Sequence, residues 1–285
     1  MFKWFDTRKT NLELRRFHNA GTLHNMVVSV ATDVGRIRTN NEDTACVFAP
    51  LDKELLTRKG YLIVLADGMG GHNSGEVASE MALDTLSGAY YKTKGNVLKS
   101  LKQAVSEANQ AIYDASVTHA AYRGMGTTCT VVVVKEDELF LAQVGDSRAY
   151  YFKANEIIQL SKDQTLVQHK IDTGQIKPEE AATDPERNVL TNALGTKPFI
   201  DAEIKRLQFP WGSHACLLLC SDGLYEYVSK AEMADLLSEE KNIEQAASEL
   251  IERAKARGGH DNITVVIASF DGRINNRAVK DTNPG

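Results

Sequence analysis

Thr127-Thr-Cys-Thr-Val-Val-Val-Val134, Lys135-Glu-Asp137, Glu138-Leu-Phe-Leu-Ala-Gln-Val-Gly145 and Arg148-Ala-Tyr-Tyr-Phe-Lys153 follow one another in the middle of this 285-residue chain. Each apolar run is rich in β-branched and aromatic residues, and the polar break at 135–137 is short enough for a turn. The spacing predicts consecutive hairpins and therefore antiparallel sheet. Upstream, Val27 to Ala31, 44–48 and 61–66 read as strands by the same composition. Two amphipathic helices follow them. One, over 75–90, places Val77, Met81, Ala82, Leu86 and Ala89 on one stripe; the other, over 97–118, lines up Val97, Leu101, Ala104, Val105, Ala108 and Ile112 behind an N-cap at Asn96. Downstream come a helical interlude, strands near 201–208 and 215–221, two more helices and a last strand over 263–270. Ser229-Lys-Ala-Glu232 has the pattern of a capping box, and Arg257-Gly-Gly259 closes the last helix.

Blocks of strands alternating with paired helices differ from the regular βαβ units of a parallel sheet. They predict an α+β fold: a central antiparallel β-sandwich with helices on both outer faces, four layers in the order α-β-β-α. One domain over 26–270 accommodates these elements. Residues 1–25 read as a basic arm, with Lys3, Arg8, Lys9, Arg15 and Arg16 against Asp6 and Glu13. It is either a loosely ordered extension or a docking arm anchored by Trp4, Phe5 and Phe17. Residues 271–285 read as a disordered tail.

The 33 Lys and Arg against 38 Asp and Glu leave a net charge of −5, which argues against a broad electrostatic grip on nucleic acid. No apolar run approaches the roughly 20 residues needed to span a bilayer, and the first residues lack the stretch of a secretory signal. Cys46, Cys129, Cys216 and Cys220 fall inside apolar runs without CxxC spacing. They predict buried free thiols and a cytoplasmic location.

Five aspartates stand at the ends of strand-like runs: Asp43, Asp67, Asp146, Asp222 and Asp261. A single aspartate there serves as a turn former. Five at strand ends can share one rim of a sheet, and carboxylates without thiolate or imidazole partners favour Mg²⁺ or Mn²⁺ over zinc. Asp43, Asp67, Asp222 and Asp261 are candidates to hold two such ions, whose charge would offset the repulsion among them. Asp67-Gly-Met-Gly-Gly-His-Asn-Ser-Gly75 lacks the spacing of a phosphate loop. Its Gly68 serves either a tight turn or the close approach of a backbone carbonyl to a metal. Two metals sharing ligands activate a water for attack on a phosphorus or carbonyl centre. Arg38, five residues before Asp43, is either a clamp for the substrate's anion or an ordinary surface arginine.

Asp33-Val-Gly-Arg-Ile-Arg-Thr-Asn-Asn-Glu-Asp43, Ala66-Asp-Gly-Met-Gly-Gly-His72, Gly124-Met-Gly-Thr-Thr128, Val144-Gly-Asp-Ser-Arg148, Ser221-Asp-Gly-Leu224 and His260-Asp-Asn-Ile-Thr264 occur in this order. Together they resemble the motif set of the metal-dependent protein phosphatases, the PPM or type 2C family, in its bacterial branch. The resemblance implies hydrolysis of phosphoserine and phosphothreonine by a water bridging two Mn²⁺ or Mg²⁺ ions. It implies that Asp43, Asp67, the Gly68 carbonyl, Asp222 and Asp261 hold those ions, with Glu42 in the outer shell. It puts Arg38 on the phosphate and gives Asp146 with Asp222 to a third, looser ion. It further implies a variable flap, about 161–195 here, that shapes substrate choice; Gly174 and Pro178 suit short helices within it.

The chain departs from the family at two points. Eukaryotic members carry a histidine directly after the Asp-Gly pair, whereas Met69 stands here and His72 follows three positions later. His72 either donates a proton to the leaving alkoxide through a water or orients the loop. Glu226 stands where many members have an aspartate, which bears on the third ion. The implied partners are phosphorylated proteins, with a Ser/Thr kinase acting on the same substrates. Two further readings stand beside the main one: action on phosphotyrosine or small phosphate esters, and a non-catalytic phosphoprotein-binding module. The intact aspartates and Arg38 speak against the second of these.

Overall fold

A computed structural model describes residues 14–23, 26–70, 74–212, 214–239 and 242–270. In chain order the first strands are β1 (Leu14–Phe17), β2 (Gly21–Leu23), β3 (Met26–Asp33), β4 (Asp43–Pro50) and β5 (Tyr61–Met69), with helix α1 (Lys53–Lys59) before β5. Helices α2 (Ser74–Lys92) and α3 (Val97–Thr118) come next. They precede β6 (Gly126–Thr127), β7 (Cys129–Lys135), β8 (Glu138–Val144), β9 (Arg148–Lys153) and β10 (Glu156–Gln159). The segment expected as a flap, about 161–195, holds α4 (Leu166–Asp172) and a 3₁₀ turn over Pro178–Thr183. After it come β11 (Glu203–Arg206), β12 (Cys216–Cys220), α5 (Asp222–Tyr225), α6 (Lys230–Glu239), α7 (Ile243–Ala256) and β13 (Ile263–Phe270).

The strands form two antiparallel sheets. One runs β1-β4-β5-β7-β8-β11, with β6 against β5, and the other runs β10-β9-β12-β13-β3-β2. Alternation within each strand builds three apolar layers. Leu62 and Val64 of β5, with Val131 and Val133 of β7, pack under α2 and α3. Their neighbours Ile63, Leu65, Val132 and Val134 face Leu217, Leu219 and Val266 of the second sheet. Leu218 of β12 and Val265 and Ile267 of β13 pack under α6 and α7. Three apolar interfaces make four layers, the α-β-β-α arrangement that the sequence predicts. Central strands buried on both faces read as continuous apolar runs, which is why 131–134 and 216–220 carry no polar alternation. The Ser229–Glu232 box forms, with the Ser229 amide 3.0 Å from Glu232 Oε2 and the Glu232 amide 3.3 Å from Ser229 Oγ.

Two expectations are corrected. The segment 148–153 does not pair with 138–144. Gly145 turns with φ +92°, a conformation an L side chain resists, and the chain crosses there from one sheet to the other. The hairpins are instead β7–β8 and β9–β10. The arm read over 1–25 contains β1, an edge strand on β4, and β2, an edge strand on β3. Its cations suit an exposed edge: Arg16 Nη1 pairs with Asp84 Oδ1 at 2.7 Å and the guanidinium lies over the Phe48 ring. Phe17 packs against the inter-sheet core, so it is not a free anchor. Trp4 and Phe5 lie outside the described residues, as does the tail over 271–285. The structure also adds α1, an element that no periodicity announces. It starts where Asp52 Oδ1 accepts the Glu54 and Leu55 amides at 2.8 and 3.1 Å. Among the described residues no helix is long and apolar enough to cross a membrane.

Candidate metal centre

Asp43 opens β4 and Asp67 lies near the end of β5, and the antiparallel register sets them directly opposite each other. Such partners have Cβ atoms about 5 Å apart, a destabilising arrangement for two bare carboxylates. Asp222 follows β12 as the first residue of α5, and Asp261 lies two residues before β13. Asp146 sits on the crossing between β8 and β9. The five expected aspartates therefore meet at one end of the sandwich, where strands of both sheets end. Burial pushes Asp67 well above the usual carboxylate range, and Asp43, Asp222, Asp146 and Asp261 push it further. Asp222 rises well above that range from burial and then from Asp146, Asp261 and Glu226. Burial likewise raises Asp43 and Asp146 to about 6.

Residues without charge fix these carboxylates. Ser221 Oγ donates to Asp43 Oδ2 at 2.7 Å and accepts the Thr264 amide at 3.0 Å, which ties a carboxylate of one sheet to the other sheet. Thr128 accepts the Asp67 amide on Oγ1 at 2.9 Å, and its own amide donates to the Asp67 carbonyl at 2.8 Å. Asn262 accepts the Glu42 amide at 2.8 Å and donates to the Val34 and Asn40 carbonyls at 3.0 and 2.9 Å. That side chain therefore pins both ends of the loop bearing Arg38. The sequence reading names all three only as letters of motifs. Their partners lie tens to hundreds of residues away, so no local pattern signals their roles.

Arg38 is brought to the cluster. Its Nη2 donates to Asp261 Oδ2 at 2.7 Å while the side chain stays 49% exposed, so guanidinium donors remain open to a solvent-borne anion. Burial works against its charge, but Asp261 outweighs that and raises its pKa. Glu42 lies behind the rim. Its carbonyl accepts the Gly68 amide at 3.1 Å and Ser79 Oγ at 2.7 Å, and burial raises its carboxyl pKa. Glu226 turns toward the flap, 4.0 Å from Arg187 Nε. His72 lies outside the described residues.

Two observations bear on whether these groups suit a divalent ion. Asp222 Oδ1 is buried with no hydrogen-bond partner among the described residues, a costly state for a carboxylate oxygen and one that a hard cation relieves. Gly68 is not in a tight turn but in a strand, paired with Thr127, and a Cβ there would come within 2.2 Å of the Gly75 carbonyl and 2.6 Å of that of Glu42. Only glycine allows main-chain oxygens to crowd this point. Among the described residues no three acidic, histidine or cysteine side chains close on one point. The cluster is a rim of separate carboxylates, which suits small hard cations that keep several waters and take one or two carboxylates each. The residues present fit such ions.

Beside the rim a groove of about 590 Å³ opens between the flap and α5, lined by Asp163, Pro178, Arg187, Tyr225 and Glu226 among others.

Comparison with known proteins identifies the family. Residues 53–264 match the family model described as protein phosphatase 2C. The serine/threonine phosphatase stp of Listeria welshimeri is 36% identical over 241 residues, which cover 83% of this chain and 92% of that protein. The crystal structure of the Mycobacterium tuberculosis serine/threonine phosphatase PstP/Ppp superposes with a TM-score of 0.76 at 34% identity, covering 86% of this chain and 99% of that one. A structure of the PstP catalytic domain in complex with two manganese ions gives 0.70, also at 34% identity, covering 86% and 97%.

Proposed function

The chain belongs to the protein phosphatase 2C family, and on that footing we propose that it hydrolyses phosphoserine and phosphothreonine in proteins with two Mn²⁺ or Mg²⁺ ions. The observation that carries the reading is the buried, unpartnered Asp222 Oδ1 within a rim of mutually repelling carboxylates. We assign Asp43, Asp67, the Gly68 carbonyl, Asp222 and Asp261 to the two ions, Glu42 to their outer shell, and Asp146 with Asp222 to a third. Bound there, such ions supply Lewis acidity, which activates a water near neutral pH and offsets charge on the phosphoryl group.

The chain's own residues do the rest. Arg38, held by Asp261 at 2.7 Å, presents a planar fork that matches two phosphoryl oxygens and orients the phosphorus toward the rim. Ser221 and Thr128 fix Asp43 and the Asp67 backbone, so the carboxylates need little reorganisation as charge shifts. His72 is assigned, on sequence alone, the transfer of a proton to the leaving alkoxide through a water. The groove under the flap takes residues flanking the phosphorylated side chain, with Arg187 facing its acidic positions. Four buried free thiols fit a reducing cytoplasm, where a Ser/Thr kinase would supply the substrates.

Turnover of matched phosphoserine, phosphothreonine and phosphotyrosine peptides with Mn²⁺ tests this function. Hydrolysis of the first two well above the third supports it. Preference for phosphotyrosine would move the assignment to that ester, and absence of all turnover would leave a phosphoprotein-binding module.

A further inference from the structure

Tyr225, the last residue of α5, makes contacts beside the rim that the function above does not use. Its hydroxyl donates to Asp146 Oδ2 at 3.2 Å. The Arg148 guanidinium lies over the same ring, 3.6 Å from its centroid. Arg148 is itself locked: its Nε reaches both Asp163 carboxylate oxygens at 3.0 Å, and its Nη2 reaches Oδ2 at 2.6 Å. Gln159 Nε2 holds Asp163 Oδ1 at 3.0 Å from the other side. A cation on the ring face holds the ring and draws electron density from it, which makes the hydroxyl a better donor. Asp146 is buried, and the other side chains that act on it include the acids Asp163 and Asp222 and the cation Arg148. The phenol is its side-chain hydrogen-bond donor, and a ligating carboxylate needs such a donor to fix its plane.

We propose, on the reading of Asp146 and Asp222 as the position of a third divalent ion, that Tyr225 is the positioning residue of Asp146. Its phenol fixes the carboxylate, and with it the affinity of the weakest-bound ion. Arg148 and Asp163 act through Tyr225 by holding the ring in place.

Calorimetric titration of the full chain with Mn²⁺ tests this, comparing the unaltered protein with Tyr225→Phe, Asp146→Ala and the double variant. Asp146→Ala should abolish the weakest equivalent. Tyr225→Phe should weaken that same equivalent roughly 10- to 100-fold, leave the tighter ones unchanged, and add nothing in the Asp146→Ala background. Unchanged binding by Tyr225→Phe, with Asp146→Ala still losing the weak equivalent, overturns the role of Tyr225 while the ion position stands. A further loss in the double variant overturns it too, since Tyr225 would then act elsewhere. If Asp146→Ala binds every equivalent normally, the third-ion reading fails and the proposal fails with it. A second readout needs no variant that must fold. In protein carrying ¹³Cζ-tyrosine, the Tyr225 resonance should move with the weakest Mg²⁺ equivalent, and a resonance that stays put through that step contradicts the proposal.

Discussion

Ser221 Oγ stands between Asp43 Oδ2 and the Thr264 amide, and it joins the two sheets at the point where their charges repel most. Ser221→Ala leaves a buried carboxylate oxygen and a buried amide without that partner, at a cost of about 1–3 kcal/mol. We expect a melting temperature lower by several degrees in the chelated protein. Thr128→Val removes the acceptor of the Asp67 amide and the partner of Ser147 Oγ, with a loss of the same size. Gly68→Ala is the harsher change, because its Cβ would lie 2.2 Å from a backbone oxygen that cannot yield. It should abolish Mn²⁺ binding, and unimpaired binding would contradict the crowding argument. The aspartates were legible because charge at the end of an apolar run is conspicuous, and Arg38 because it lies five residues before one of them. Ser221, Thr128 and Asn262 were not, because a hydroxyl or amide declares its role only through a partner distant in sequence. Tyr225 was hidden for the same reason, since Asp146 lies 79 positions away.

At the scale of elements, the central strands were readable because burial on both faces leaves only apolar letters. What those letters do not encode is which sheet a strand joins. The apolar run at 148–153 fits a hairpin with its predecessor as well as it fits the second sheet, and the Gly145 turn decides between them. Edge strands β1 and β2 were hidden by their brevity, since four and three residues are too few to show a pattern. One junction between helices rests on a buried cation. Lys59 ends α1 with 1% exposure, and its Nζ donates to the Thr93 carbonyl at 2.8 Å, the Gly95 carbonyl at 3.1 Å and Ser100 Oγ. It thereby joins the end of α2 to the start of α3. Lys59→Met keeps the stem but leaves two carbonyls without that donor, and should cost about 1–3 kcal/mol, read as an earlier thermal transition with Mn²⁺ binding intact.

Across the whole molecule, the four layers carry a rim that is unfavourable in the ion-free protein and favourable once cations bind. Asp43 and Asp146 have folded pKa values near 6, above the ordinary carboxylate value of 3.8. Groups raised in this way contribute stability that is fully present below about 3.8 and is lost as pH rises through about 6. Divalent ions bind the charged forms and reverse that loss. The difference in melting temperature between Mn²⁺-loaded and chelated protein should therefore widen from pH 5 to pH 7, and a constant difference would contradict the carboxylate assignment. The most direct test of the centre itself is the rate of phosphothreonine peptide hydrolysis with Mn²⁺, with excess chelator, and in Asp222→Asn with Mn²⁺. Asp222→Asn keeps the shape of the residue and removes the charge of a carboxylate whose buried Oδ1 has no hydrogen-bond partner among the described residues. Chelation should abolish hydrolysis, and Asp222→Asn should lower it by at least the roughly 10- to 100-fold that loss of an outer-shell partner costs, whereas a rate that survives either treatment would contradict the two-ion centre.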